Sequence, residues 1–120
     1  MQTSPVEVVN NYIKLRWSGT ENAQQLASFF SNDGSLIDAE GVVHMGFDNL
    51  VKYYQQPTPT PLNLQAPITL ADGRIMVEFT VTKYMMSWTL KAYFEFAQRK
   101  SIDDSLLIKK ITIERPGFFS

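Results

Sequence analysis

The sequence predicts an α+β fold in which three N-terminal helices cover one face of a mainly antiparallel sheet. Three observations predict it. Helical spacing of apolar residues dominates up to residue 54. Three alternating prolines, Pro57, Pro59 and Pro61, then form a stiff connector that no helix can contain. Beyond it the apolar period drops to two, the mark of half-buried strands. Helices followed by a run of strands segregate into two layers around one core.

The first helix opens at Ser4-Pro5-Val6-Glu7. Ser4 suits the N-cap, Pro5 the first helical position and Glu7 the third position of a capping box. Val6, Val9, Ile13 and Trp17 then share a face, with Tyr12 on its edge. Ser18-Gly19 ends this helix. Thr20 is the expected cap of the second, which carries Ala23, Leu26, Ala27 and Phe30 as its apolar stripe. Asp33-Gly34 reads as a turn. Residues 35 to 39 read as a short strand that Val42-Val43 can pair with. Gly46 starts the third helix, with Phe47, Leu50, Val51 and Tyr54 on the buried face.

After the proline connector, residues 64 to 71 are the first strand candidate, and Asp72-Gly73 turns the chain. In RIMVEFTVT, Ile75, Val77, Phe79 and Val81 face one way while Glu78, Thr80 and Thr82 face the other. In WTLKAYFEFA, Trp88, Leu90, Ala92, Phe94 and Phe96 oppose Thr89, Lys91, Tyr93 and Glu95. The segment TKYMMS between these strands turns without Gly, Pro or Asn, which suggests a bulge or a mobile loop. QRKSIDDS is a charged, solvated turn. The last strand, about 106 to 115, groups Leu107, Ile111 and Ile113. A twisted sheet roofed by helices tends to enclose a cavity at its open end.

Composition narrows the function classes. The chain has 120 residues, a length suited to one domain spanning 1–120. It is 44% hydrophobic and 19% charged, with a net charge of −1. Acidic and basic residues are interspersed, so no basic stripe offers itself to nucleic acid. The absence of cysteine removes disulfides, thiolate catalysis and Cys-based zinc sites. MQTSPVEVV has neither the charged n-region nor the apolar run of a secretory leader, and no stretch reaches the ~20 apolar residues of a membrane span. The expectation is a soluble, cytoplasmic protein that touches neither nucleic acid nor membrane. One histidine among scattered carboxylates has no metal-ligand spacing, and no phosphate loop appears, so no metal and no cofactor are expected.

Three segments resemble those of the NTF2-like superfamily, and most closely its ketosteroid isomerase branch. They are VVNNYIKLRWSG, FFSNDGSLIDAEG and HMGFDNLVKYY. The order of elements is similar over essentially the whole chain. The resemblance implies a cone-shaped NTF2-like fold, a homodimer formed through the outer sheet face, and a pocket inside the cone. It places Asp38 on the family's general-base aspartate and Tyr12 on the tyrosine that stabilises a developing enolate. The family's protonated aspartic acid on a late strand falls on Ala92, a departure that leaves two of three catalytic parts. Asp38 is flanked by Leu36 and Ile37; desolvation there would raise its pKa toward that of a useful base. An aspartate before Glu-Gly also often caps a turn through its own backbone, a reading placed second to the catalytic one. His44, the one histidine and of a residue type that changes charge in the useful range, can act as a catalytic base, orient Asp38 or stand on the surface.

Trp17, Phe29, Tyr54, Met76, Met86, Trp88 and Phe94 are the candidate ligand-binding residues, with the Met85-Met86 pair and Trp88 expected to face the cavity. The same side chains can equally be core. Three functions fit. One is a proton-transfer isomerase, cyclase or dehydratase acting on an enolisable carbonyl compound. Another is a non-catalytic binder of a small apolar ligand. The third is a protein-interaction module resembling nuclear transport factor 2.

Overall fold

A computed structural model describes residues 4–58, 60–99 and 105–115. Helix α1 (Pro5–Arg16) starts where the sequence places it, and the Ser4 side chain accepts a hydrogen bond from the Glu7 backbone N–H. A 3₁₀ turn (Thr20–Asn22) leads into α2 (Ala23–Ala27). Strand β1 (Phe30–Ile37), strand β2 (Val43–Met45) and helix α3 (Phe47–Tyr54) follow. The rest is β3 (Ile68–Thr69), β4 (Ile75–Lys83), β5 (Met86–Phe96) and β6 (Ile108–Glu114).

The strands form one curved, open sheet in the order β2-β1-β6-β5-β4-β3. Only β1 and β6 run parallel; every other neighbouring pair is antiparallel. Their alternation has the predicted phase. Ile75, Val77 and Phe79 of β4 and Leu90, Ala92 and Phe94 of β5 are buried beneath the helices. Val8, Val9 and Tyr12 of α1, Leu26 and Ala27 of α2, and Leu50 and Tyr54 of α3 complete that layer. The predicted α+β architecture, three helices on a curved and mainly antiparallel sheet, is the observed one.

Several details differ, each for a local reason. The most buried face of α1 holds Val8, Val9, Tyr12 and Arg16, while Val6, Ile13 and Trp17 are half-buried. Asp33-Gly34 does not end an element. It lies inside β1, at a bulge where β1 advances from Phe30 to Ser35 while β6 advances only from Ile108 to Lys110. A Cβ at Gly34 would meet the Phe30 Cβ at 2.7 Å, so this kink admits no side chain. Phe30 accordingly begins β1 and does not close α2. Phe47 is exposed, whereas Leu50 and Tyr54 face inward.

The 64–71 strand candidate shrinks to Ile68–Thr69, with a separate bridge from Leu62 to Thr80. TKYMMS is a two-residue hairpin turn. Tyr84 (φ 54°) and Met85 (φ 62°) both take the left-handed conformation between the paired residues Lys83 and Met86. Such a turn matches strand twist, although non-glycine residues pay roughly 1–2 kcal/mol each for it. In β6 a register slip opposite Glu95 and Phe96 buries Ile108 in place of Leu107, while Ile111 and Ile113 share a face as predicted. Of the predicted connectors, Pro59 and Lys100 to Asp104 lie outside the described residues.

Candidate functional site: an apolar cavity with a buried arginine

Between α1 and the concave face of the sheet lies a cavity of about 330 Å³. Strand alternation builds its floor, with Val77, Phe79 and Val81 from β4, Trp88, Leu90, Ala92 and Phe94 from β5, and Ile111 and Ile113 from β6. Helix α1 supplies Tyr12, Ile13 and Arg16 and, at its C-cap, Trp17; α3 supplies Tyr53. Trp17 meets Phe79 edge-on at 5.7 Å, and Tyr12 meets Phe94 at 5.3 Å, the geometry aromatic quadrupoles favour. Glu40, Thr58, Tyr84 and Arg115 also line it and are exposed, so they mark its mouth. A mostly apolar concavity with a few convergent polar groups is the usual form of a small-molecule site.

Those polar groups form a cluster. The Tyr12 and Tyr54 hydroxyls are 2.6 Å apart and share a hydrogen bond. The Arg16 guanidinium carbon sits 5.0 Å from the Tyr54 ring centre and 5.6 Å from that of Tyr53, within cation–π range. Tyr12 and Arg16 are four residues apart on α1 and therefore project from the same side of it. Burial pushes all three phenols above their ordinary pKa, with the Arg16 charge pulling the other way. They stay protonated at neutral pH and keep their hydrogen-bond donors.

Asp38 stands elsewhere. It is not among the residues lining the cavity, although Ala39 and Glu40 are. Its Oδ1 accepts hydrogen bonds from the backbone N–H groups of Glu40 (2.9 Å) and Val42 (3.0 Å). Its Oδ2 lies 2.9 Å from His44 Nε2. The residue thus clasps the turn between β1 and β2, where Gly41 takes a positive φ of 85°. Burial pushes its pKa up, but the hydrogen bonds from His44, Val42 and Glu40 outweigh that and hold the carboxyl below its ordinary value. This is the reverse of the shift expected from apolar flanks alone. His44 packs its ring on Tyr53, centres 4.6 Å apart. Asp38 and His44 are therefore together; Tyr12 touches neither, and the ring of Tyr53 stands between the two groups.

Among the candidate ligand contacts, Trp17, Trp88 and Phe94 line the cavity. Tyr54 lies behind it, bonded to Tyr12. Phe29 packs edge-on against Tyr12 at 6.0 Å without lining it. Met76 is paired with Tyr93, in phase with Glu78 on the opposite sheet face. Met85 is 100% and Met86 51% exposed at the hairpin tip, and neither is among the residues lining the cavity. Sequence reasoning missed Arg16 and Tyr53 in the polar cluster, and it assigned the apolar floor residues such as Val77, Phe79 and Leu90 only to the inner sheet face. The available signal was the i, i+4 relation of Arg16 to Tyr12. Among the described residues, no three His, Asp or Glu side chains gather into a metal-binding group, and no helix is long and apolar enough to cross a membrane.

No family model matches the sequence, and a search of curated proteins finds no match. Solved structures do match it. A protein from Sphaerobacter thermophilus is 19% identical with a TM-score of 0.72, covering 93% of this chain and 95% of its own. An NTF-2 like protein of unknown function from Pseudomonas aeruginosa is 11% identical with a TM-score of 0.68, covering 91% and 95%. Nuclear transport factor 2 from Cryptosporidium parvum is 10% identical with a TM-score of 0.62, covering 90% and 88%. At these identities the likeness speaks for architecture, and with helices, sheet order and cavity as described, this chain has the NTF2-like, cystatin-like fold.

Proposed function

We propose that the protein binds a small, largely apolar molecule in the cavity between α1 and the concave sheet face. The observation that carries this reading is a space of about 330 Å³ walled by Trp17, Phe79, Trp88, Leu90 and Phe94. Interiors are normally packed to crystal-like density, and an apolar void of this size forgoes dispersion contacts that a ligand would restore. Fold likeness adds nothing to the choice of activity. The neighbours include a transport factor and also a de novo designed protein with a curved β-sheet.

Binding is favoured over proton transfer because the Asp38 carboxylate is committed to its own turn and to His44. A general base must come within hydrogen-bond reach of its substrate proton. On this reading, wild type and Asp38→Asn turn over a panel of enolisable ketones at the same background rate. A rate that wild type shows and the variant loses would restore the catalytic reading.

Both tryptophans of the chain, Trp17 and Trp88, line the cavity, so intrinsic fluorescence reports its occupancy. Titration with the neutral dye N-phenyl-1-naphthylamine should transfer energy from tryptophan to dye and saturate at one dye per chain. Ala92→Phe, which fills part of the floor, should weaken that binding strongly. Dye that gives no saturable transfer, or that binds the variant equally well, would overturn the reading.

A further inference from the structure

Arg16 is 9% exposed and lines the cavity. A guanidinium is ionised at every accessible pH, and a buried charge needs compensation. The side chains in contact with this one are neutral. The Tyr53 and Tyr54 rings lie beside it, and its charge counters the rise that burial gives the Tyr12 and Tyr53 phenols. Its place in the last turn of α1 lets the helix dipole offset a fraction of the charge. No carboxylate does so among the described residues. The ion pairs there are Asp38 with His44 and Asp72 with Arg74. Glu40, the acidic member of the lining, is exposed and not paired with Arg16.

We propose that the cavity's ligand is an apolar carboxylic acid, bound as its anion. The carboxylate pairs with Arg16 and a ring-sized skeleton lies against Trp17, Phe79, Trp88 and Leu90. A planar fork of N–H donors matches a carboxylate better than any neutral oxygen. The Tyr12 and Tyr53 hydroxyls, kept protonated by burial, are available as further donors. The anion would complete the pairing that the protein leaves undone. This inference rests on the reading of the cavity as a ligand site and adds the chemical class of the ligand.

Isothermal titration calorimetry at neutral pH with 2-naphthoate and 2-naphthamide tests it. The two have the same ring and nearly the same head-group shape but differ in charge. Wild type should bind the naphthoate at least about tenfold more tightly, the usual effect of a charge-assisted hydrogen bond. Arg16→Met should erase that preference by weakening the naphthoate alone, and Arg16→Lys should keep part of it. Should Arg16→Met not fold, the wild-type pair of ligands still decides. Equal affinity, or tighter binding of the amide, would overturn the inference while leaving the cavity as a site for neutral ligands. If neither naphthyl compound binds although the neutral dye does, the inference fails alone. If none of the three binds, the ligand-site reading fails and takes the inference with it.

Discussion

Asp38 and Arg16 are both charges drawn partly out of water, and their surroundings differ. The Asp38 side chain, 19% exposed, has both oxygens engaged, by two backbone N–H groups and by His44. Arg16, more deeply buried, has tyrosine rings beside it but no ion-pair partner among the described residues. A charge satisfied by its own neighbours serves the fold. A charge left without an opposite partner on the wall of a cavity has capacity to spare for something that enters. Sequence resemblance pointed to the aspartate, and the geometry points to the arginine.

The comparison can be broken at either end, and the largest effect should come from beneath the arginine. Tyr54 is fully buried, bonds Tyr12 and supports the guanidinium. Truncation by Tyr54→Ala should cost about 3–5 kcal/mol, as for other large buried rings, read by urea unfolding. At the other end, Asp38→Ala removes a turn cap and should cost about 0.5–2 kcal/mol while leaving dye binding unchanged. A greater loss for Asp38→Ala than for Tyr54→Ala would reverse the assignment of roles. Tyr12→Phe is subtler. It deletes one shared hydrogen bond and should cost about 1 kcal/mol.

Acid sharpens the contrast further. The folded pKa of Asp38 is lowered from 3.8, so the unfolded chain binds the proton more readily. Its contribution is present in full above the unfolded value and is lost as pH falls through the folded one. Stability measured against pH should decline in that acidic window, and the decline should be shallower in Asp38→Asn. An equally steep acid decline in Asp38→Asn would mean that the Asp38 turn is not what stabilises this region.

Much of the architecture was legible because its signals are local and periodic. The alternation of Ile75, Val77 and Phe79 and of Leu90, Ala92 and Phe94 set the inner face of β4 and β5. Even the outward placement of Met76 follows from its phase with Glu78. Cavity wall and core, however, are written in the same apolar residues. Ile13 and Trp17 line the void while Val8 and Val9 pack in the core, and no helical periodicity separates those fates. Met86 shares the phase of Trp88 but is exposed at the hairpin tip, a tertiary fact. Asp33-Gly34 has the composition of a turn and was absorbed into β1 as a bulge. Arg16 was illegible for a different reason: a basic residue in a helix's last turn already has an ordinary explanation in the dipole.

The central claim is that the cavity end of the cone, and not the Asp38 turn, receives a ligand. Methyl NMR during a titration with 2-naphthoate tests it most directly. The account predicts saturable shifts for the methyl groups of Ile13, Val77, Leu90 and Ile113, which line the cavity, and none for Val42 and Val43 beside Asp38. Shifts confined to Val42 and Val43, with the cavity methyls unmoved, would contradict it.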